Sequence, residues 1–201
     1  MAKKILIVGV SGAGKTTLRM QLSRRHWPVM SLSLSEVALL YGAWSRYDVA
    51  RRSFVIDPLS LCRALERIVS SPGLYEALVL ESHWPDVARC FNPDIIYIVR
   101  SNPVDVARRL LRKGWPLEKA LENAVAELLG DIPLHVMSLV KGLDARPRVV
   151  ELLSASGSFI VREGCCIDWL SLLTEAYIDR LLECSRGARG CREWLLRHTQ
   201  V

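Results

Sequence analysis

The feature that most restricts the fold of this 201-residue chain is a glycine-rich loop that follows a short apolar segment. The loop reads Gly9-Val10-Ser11-Gly12-Ala13-Gly14-Lys15-Thr16-Thr17 and fits the spacing G-x-x-x-x-G-K followed by Ser or Thr. Residues 3–8 before it predict a buried strand, and a helix is predicted from Lys15 or Thr16 to about Arg25. Glycines let successive backbone N–H groups point at one anion, and the start of the helix adds the positive end of its dipole. The pattern therefore predicts a phosphate-binding loop.

Five residues of this loop have an expected role in binding a nucleoside triphosphate. Gly12 and Gly14 shape the loop, Lys15 reaches the β- and γ-phosphates, the Thr16 hydroxyl holds Mg²⁺, and Thr17 lies near the α-phosphate. Such loops serve kinases, ATPases and GTPases alike, so the motif alone does not identify the reaction. The sequence contains no N-K-x-D string of the kind that GTPases use to bind their base.

The rest of the chain alternates short apolar segments with helical patterns, which indicates an α/β fold with a parallel sheet. Further strands are predicted at 29–32, 77–80 and 95–99, and one of the segments 149–153 and 159–161 is expected to join the main sheet. Helices are predicted at 36–40, 58–70, 103–112, 117–140 with a break near Pro133, 167–182 and 191–198. Residues 43–53 are predicted to be a loop.

Composition favours a basic protein without a membrane segment. Lys and Arg number 27 against 21 Asp and Glu, a surplus that favours phosphate-bearing partners, whether nucleotide or RNA. No apolar run approaches the ~20 residues needed to span a bilayer, and the first apolar stretch is too short for a signal peptide. We therefore expect a cytoplasmic protein. The six cysteines form no C-x-x-C pair and are expected to be buried thiols, although Cys184 and Cys191 could close a small loop.

Two further groups of residues indicate a phosphoryl-transfer enzyme rather than a GTPase that acts as a molecular switch. Arg108, Arg109, Arg112 and Lys113 lie in pairs four residues apart, and such a cluster of cations suits a transferring phosphoryl group. Glu81-Ser82-His83 ends a strand expected to run parallel to the first, where Glu81 would hold Mg²⁺ through water and His83 would contact the acceptor phosphate or position a water. Arg100 ends the next strand, at the edge where open α/β sheets bind ligands.

With these motifs the sequence resembles the adenylate kinase isoenzyme 6-type family, small archaeal and nuclear nucleotide kinases that also act in ribosome assembly. The resemblance spans about residues 3–145. It rests on the glycine-rich loop, on Glu81-Ser82-His83, and on Pro93 to Arg100 leading into Arg109 to Trp115. It continues through Leu117-Glu118-Lys119-Ala120-Leu121-Glu122-Asn123, which matches the helix that follows the lid of the family.

The resemblance implies a P-loop NTPase fold with a Rossmann-like parallel sheet flanked by helices. For the chain as a whole we expect one domain over residues 1–184 and a basic tail at 185–201. The resemblance also implies an acceptor-binding region at about 33–56 and a short lid at about 112–122. The implied activities are ATP + AMP ⇌ 2 ADP, with broad acceptor tolerance, and ATP hydrolysis. The implied partners are a ribosomal protein of the uS-eleven type and rRNA, during maturation of the small ribosomal subunit.

Carried over residue by residue, the resemblance implies the following site. Lys15, Glu81, His83 and Arg109 would be catalytic, Thr16 and Glu81 would hold the metal, and ATP would contact Gly12, Gly14, Lys15, Thr16, Thr17, Arg112 and Lys113. On the acceptor side we expect Ser33, Asp57 and the strand-end Arg100, together with Arg46, Arg51 or Arg52, because the segment 36–40 contains no Arg. Glu81 stands where the family has Asp, and Lys113 where the lid usually has Arg, which has a planar fork that Lys lacks.

Three functions therefore remain open at this point. The first is a magnesium-dependent nucleoside-monophosphate kinase. The second is an ATPase that resets a protein–RNA complex, with kinase activity incidental, and the basic tail at 186–197 favours it. The third is a kinase for a small non-nucleotide hydroxyl compound. The aromatic and arginine residues at 44–52 suit a base and a phosphate better than such a compound.

Overall fold

A computed structural model describes residues 2–25, 28–49, 53–71, 73, 75–155, 157–162 and 166–197. The strands are β1 (Lys3–Val8), β2 (Val29–Ser33), β3 (Trp44–Asp48), β4 (Ser53–Ile56), β5 (Ala77–Ser82), β6 (Ile95–Arg100), β7 (Arg148–Ala155) and β8 (Ser158–Arg162). The α-helices are α1 (Lys15–Arg25), α2 (Leu34–Leu40), α3 (Pro58–Ser70), α4 (Ala88–Phe91), α5 (Pro103–Arg112), α6 (Leu117–Leu129), α7 (Asp131–Leu139), α8 (Trp169–Leu172), α9 (Glu175–Ser185) and α10 (Cys191–Arg197).

A six-stranded sheet has the strand order β2-β5-β1-β6-β7-β8. β5 runs parallel to both β1 and β2, whereas β7 and β8 form an antiparallel hairpin. Leu6, Ile7 and Val8 of β1 are fully buried although consecutive strand residues point to opposite faces, which is typical of a parallel sheet covered by helices on both sides. The α/β fold with a mostly parallel sheet is confirmed.

The chain divides into two compact units. The first unit comprises Met1–Val8, Thr16–Tyr97 and Leu139–Val149, and Leu6, Leu61, Leu80 and Phe91 belong to its core. The second unit comprises Gly9–Lys15, Ile98–Ser138 and Val150–Val201, and its core includes Ile98, Leu110, Leu128, Leu181 and Leu195. The extent of the expected domain, residues 1–184, stays a prediction.

The segment predicted to be a loop is instead a hairpin. β3 pairs antiparallel with β4 in a separate two-stranded sheet, with a register shift between Trp44 and Arg46. Such a bulge inserts one extra residue, so that Trp44 and Tyr47 face the same side, and both rings contact Phe54 at centroid distances of 5.1 Å. The prediction of a loop at 43–53 is wrong because the bulge removes the regular alternation by which strands are predicted.

Three smaller predictions about elements are also wrong. The long helical pattern breaks at Gly130, whose φ of 72° caps α6, and not at Pro133, because proline is tolerated in the first turn of α7. Both β7 and β8 join the main sheet, where one was expected to do so. The helix expected at 167–182 is two helices, α8 and α9, because Leu173 leaves the helical conformation with φ −95° and ψ 150°.

The expectation of buried thiols is wrong, because the described cysteines are oxidised. Cys62 in α3 is disulfide-bonded to Cys90 in α4, with a Cα–Cα distance of 5.4 Å. Cys184 in α9 is bonded to Cys191 in α10 at 5.5 Å, which is the small loop that the sequence left open. None of the cysteines in the described ranges is free. The described helices are all too short or too polar to cross a bilayer.

Candidate active site

The glycine-rich loop links β1 to α1 and has a backbone path that side chains would block. Gly14 has a φ of +112°, and a Cβ added there would lie 2.8 Å from Ser154 Oγ. A Cβ on Gly9 would lie 2.5 Å from the carbonyl oxygen of Val99. Both contacts are closer than real Cβ atoms allow, so only glycine fits without displacement. The second unit thus holds the loop in the shape that the motif predicts.

Lys15 is buried against the loop that precedes it. Its side chain is 8% exposed, and Nζ donates a hydrogen bond to the Val10 carbonyl at 3.0 Å. A buried ammonium is costly unless it is hydrogen-bonded or paired with an anion. The structure therefore places a buried positive charge at the loop that precedes α1, and a cation beside a helix N-terminus favours the binding of phosphate.

Two side chains anchor the loop backbone from the helices of the second unit. Asn123 on α6 accepts a hydrogen bond from the Ser11 N–H through Oδ1 at 3.0 Å. Arg109 on α5 donates through Nη1 to the Gly12 carbonyl at 3.1 Å and to Ser101 Oγ at 2.9 Å. The structure thus places Arg109 on the phosphate loop. Asn123 matched only the family's pattern, because nothing in its local sequence indicates a contact 112 residues away.

Glu81 of β5 is held at both carboxylate oxygens within the first unit. The Thr16 hydroxyl donates to Glu81 Oε1 at 2.7 Å, so two of the predicted metal-site residues lie together. Arg19 Nε donates to Glu81 Oε2 at 3.1 Å, and Arg19 Nη1 lies 3.3 Å from Glu36 Oε2. Sequence reasoning missed Arg19. The available signal was its position three residues after Thr16, which places both side chains on one face of α1.

Thr16 and Glu81 suit Mg²⁺ by the chemistry of their donors. Mg²⁺ prefers oxygen ligands, keeps several waters, and is usually bound by one or two carboxylates together with substrate phosphates. One hydroxyl and one carboxylate in direct contact fit that requirement. Within the described residues there is no group of three or more His, Cys, Asp or Glu side chains that would form an all-protein metal site.

His83 and Thr17 are exposed at the ends of their elements. His83 follows β5 and lies between Ser82 and Trp84, where the Trp84 N–H donates to Ser82 Oγ at 2.8 Å. Thr17 is exposed in the first turn of α1. Arg112 and Lys113 are exposed at the C-terminal end of α5. Their predicted roles toward nucleotide stay predictions.

Two predicted acceptor residues act as helix N-caps. Ser33 Oγ accepts the Glu36 N–H at 3.1 Å while Glu36 Oε2 accepts the Ser33 N–H, which is a capping box at the start of α2. Asp57 Oδ2 accepts the Ser60 N–H at 3.2 Å at the start of α3. The hydrogen bond from the Ser60 side chain, and to a smaller extent the one from its backbone N–H, lowers the pKa of the Asp57 carboxyl below its ordinary value.

Glu36 links the capping box to Arg19. Burial acts to raise the pKa of the Glu36 carboxyl, but the hydrogen bonds from Ser33 and the charge of Arg19 outweigh it, so the pKa is lowered. Glu36 is therefore an anion at neutral pH. Arg46 is exposed on β3, and Arg51 and Arg52 lie outside the described residues.

The prediction that Arg100 binds the acceptor is wrong, because its side chain is fully buried in an ion-pair network of the second unit. Nε donates to Glu127 Oε1 at 2.6 Å and Nη1 to Glu151 Oε1 at 2.9 Å. Nη2 donates to the Glu127 carbonyl at 2.9 Å. Arg108 is also structural, because it is 7% exposed and bonds to Asp105 and to the Leu195 carbonyl.

Comparison with known proteins places this geometry among nucleotide-binding proteins. A family model described as "AAA domain" matches residues 5–130. A Methanocaldococcus jannaschii protein named "Putative adenylate kinase" is 30% identical over 183 residues, which cover 89% of this chain and 97% of that protein. A Saccharolobus islandicus protein of the same name is 27% identical over 192 residues, 96% of this chain and 87% of its own length. The crystal structure of TT1252 from Thermus thermophilus has a TM-score of 0.49 and 18% identity, and the match covers 90% of this chain and 97% of that one.

Proposed function

Because this chain belongs to the AAA domain family, we propose that it is a magnesium-dependent nucleoside-monophosphate kinase that converts ATP and AMP to two ADP. The observation that carries the proposal is the glycine-rich loop with the buried Lys15 ammonium hydrogen-bonded to its Val10 carbonyl. The archaeal relatives named "Putative adenylate kinase" support the class of reaction. Within that class we assign the chain to the adenylate kinase isoenzyme 6-type group, on the motifs that it shares with that group.

The proposed chemistry is an in-line transfer of one phosphoryl group. The bond between the γ-phosphorus and the β–γ bridging oxygen of ATP breaks, and a phosphate oxygen of AMP forms the new bond. Backbone N–H groups of the loop bind the triphosphate, and Lys15 leaves the Val10 carbonyl to pair with the β- and γ-phosphates. Arg109 holds the loop in shape through the Gly12 carbonyl, so that little reorganisation accompanies the transfer.

Thr16 and Glu81 are the residues that would hold Mg²⁺ in the kinase. Mg²⁺ bound by these residues would neutralise charge that develops on the phosphate oxygens. His83, exposed at the end of β5, would orient the acceptor phosphate, and Arg112 and Lys113 would contribute lid cations. Arg46, Ser33 and Asp57 remain proposed acceptor-side residues, and Arg51 and Arg52 are proposed on the sequence alone.

The test is an assay of ADP formation from ATP over a panel of nucleoside monophosphates, with a control that lacks any acceptor. We expect turnover that depends on AMP and falls on the order of 100- to 1,000-fold in Lys15→Ala, because the transferring group loses its fixed cation. Lys141→Ala, which removes an exposed lysine, serves as the matched control and is expected to retain wild-type turnover. AMP-dependent turnover that persists unchanged in Lys15→Ala would defeat the assignment.

A second candidate is an ATPase that acts on a complex of rRNA and a ribosomal protein of the uS-eleven type. One observation favours it: Arg186, Arg189, Arg192 and Arg197 are all exposed over the last described residues, where they suit a phosphate backbone. In the same assay this function predicts ATP turnover that is indifferent to the acceptor. Turnover that requires a small hydroxyl compound would instead support a different class of kinase.

A further inference from the structure

We propose that Arg19 is a positioning residue that orients the Glu81 carboxylate and so sets how tightly the nucleotide complex holds its divalent cation. The inference rests on the proposed function, since that function assigns Glu81 and Thr16 to Mg²⁺. It adds a residue that the phosphate-loop motif does not include, because Arg19 lies in α1 beyond the end of the loop.

The contacts of Arg19 fix the carboxylate from one side while Thr16 fixes it from the other. Glu81 Oε2 accepts from Arg19 Nε at 3.1 Å, and Glu81 Oε1 accepts from the Thr16 hydroxyl at 2.7 Å. A glutamate has three rotatable side-chain bonds, and two partners on opposite oxygens leave it a single orientation. Arg19 itself is only 14% exposed, so solvent does not compete strongly for its guanidinium.

A second pair of contacts holds Arg19 in this position. Its Nη1 lies 3.4 Å from the Ser31 carbonyl and 3.3 Å from Glu36 Oε2. Glu36 is fixed in turn by the capping box at the start of α2. The planar guanidinium therefore bridges a strand carboxylate and a helix-cap carboxylate, a geometry that the single ammonium of lysine does not reproduce.

The combined charge of Arg19, Glu36 and Glu81 favours the binding of a cation. One guanidinium faces two carboxylates, Glu36 and Glu81, so the group keeps a net charge of about −1 when all three are ionised. Arg19 thus orients Glu81 without neutralising the group. The need for such a partner follows from the side chain itself, because all three side-chain torsions of glutamate must be fixed before its carboxylate has one orientation.

The test measures metal binding rather than turnover. Mn²⁺ replaces Mg²⁺ as a paramagnetic probe and is titrated into the chain saturated with a non-hydrolysable ATP analogue. We expect Arg19→Met to weaken Mn²⁺ binding about 10-fold, whereas binding of the analogue in EDTA changes less than about 2-fold, since a misplaced ligand costs affinity only where the metal is present. Arg24→Met, which removes an exposed arginine of the same helix, is the control and should change neither value.

Three further measurements separate positioning from a general structural role. Arg19→Lys should lose about 3-fold in Mn²⁺ affinity, because it keeps the charge without the fork, and it carries the test if Arg19→Met does not fold. In a Glu81→Gln background, Arg19→Met should add no further loss, because the effect passes through Glu81. Unchanged Mn²⁺ affinity in the Arg19 variants, or an equal loss in both backgrounds, overturns the proposal.

The result of the Mn²⁺ titration does not depend on the identity of the acceptor. Acceptor-independent turnover would defeat the kinase assignment and leave the Mn²⁺ result standing. A wild-type nucleotide complex that binds Mn²⁺ no better than the free nucleotide does would overturn the metal role of Glu81, and with it the role of Arg19.

Discussion

At the scale of single residues, Glu127 is a buried carboxylate of the second unit whose two oxygens have very different hydrogen bonding. Its Oε1 accepts hydrogen bonds from Arg100 Nε, the Ser101 N–H and Trp169 Nε1. Its Oε2 is a buried side-chain atom that, among the described residues, has no hydrogen-bond partner. Burial raises the pKa of the Glu127 carboxyl, and the neighbouring Arg100 opposes that rise without cancelling it.

This raised pKa predicts a pH dependence of stability. The folded-state pKa lies above the unfolded value of about 4.5, so the contribution of Glu127 is fully present below that pH and is lost as pH rises through the folded-state pKa. The slope is at most about 1.4 kcal/mol per pH unit. In Glu127→Gln we expect this slope to vanish, so the variant gains stability relative to the wild type between pH 4 and pH 8. Urea unfolding across that range measures the difference.

The matched control is Glu122→Gln, which removes an exposed carboxylate from the same helix. It should leave the pH profile of the wild type unchanged. Parallel profiles for the wild type and Glu127→Gln would show that the Glu127 carboxyl is ionised in the folded protein as it is in the unfolded chain.

At the scale of elements, the loop between β1 and α1 depends on backbone conformations that other residues avoid. Gly14→Ala adds a Cβ within 2.8 Å of Ser154 Oγ at a φ of +112°. We expect a loss of about 1–3 kcal/mol in stability, the usual cost of such a conformation, and ATP binding weakened at least about 10-fold. Calorimetric titration with Mg²⁺-ATP measures the affinity. Gly142→Ala, which has open space around its Cβ, is the control, and equal affinities in the two variants would contradict the steric explanation.

Sequence patterns predicted the elements that depend on local signals. The strand–loop–helix segment at residues 3–25 is confirmed. Helices α3 and α5 are also confirmed, because the N-caps Asp57 and Asn102, each followed by a proline, lie directly before the apolar periodicity of the helix. The β3–β4 hairpin was not predictable, since its bulge places Trp44 and Tyr47 three residues apart on one face.

In the candidate active site, too, only residues that lie in a local sequence motif could be predicted. Glu81 and Thr16 were predicted from the motif and lie in contact. Arg19 and Asn123 lie 62 and 112 residues from the partners that they hydrogen-bond, and only the folded chain brings them together. The prediction for Arg100 was wrong because a cation at the end of a strand suggests a ligand-binding residue. Its two carboxylate partners lie 27 and 51 residues later, and no local sequence signal indicates that they pair with it.

At the scale of the whole molecule, the disulfides Cys62–Cys90 and Cys184–Cys191 set different constraints on the unfolded chain. Cys62–Cys90 closes a loop of 28 residues and Cys184–Cys191 one of 7. Loop entropy at these lengths gives about 3.6 and about 2.4 kcal/mol of stabilisation respectively. We expect the double variant Cys62→Ser/Cys90→Ser to melt at a lower temperature than Cys184→Ser/Cys191→Ser.

Melting curves with and without dithiothreitol measure both contributions. The reductant should lower the melting temperature of the wild type, and by a smaller amount when both pairs are replaced, because Cys166 is also disulfide-bonded. A wild-type melting temperature that does not respond to the reductant would mean that these cysteines are thiols in solution.

The buried Arg100 network also determines the order in which the second unit can be completed during synthesis. Its guanidinium needs carboxylates from α6 and β7, and Glu151 in turn accepts the N–H of Ile167. An unpaired buried charge costs several kcal/mol, so this core cannot close around Arg100 while its partners are still inside the exit tunnel. A chain that ends near residue 150 lacks Glu151 and Ile167, so the last quarter of the sequence is needed to complete the buried network around Arg100.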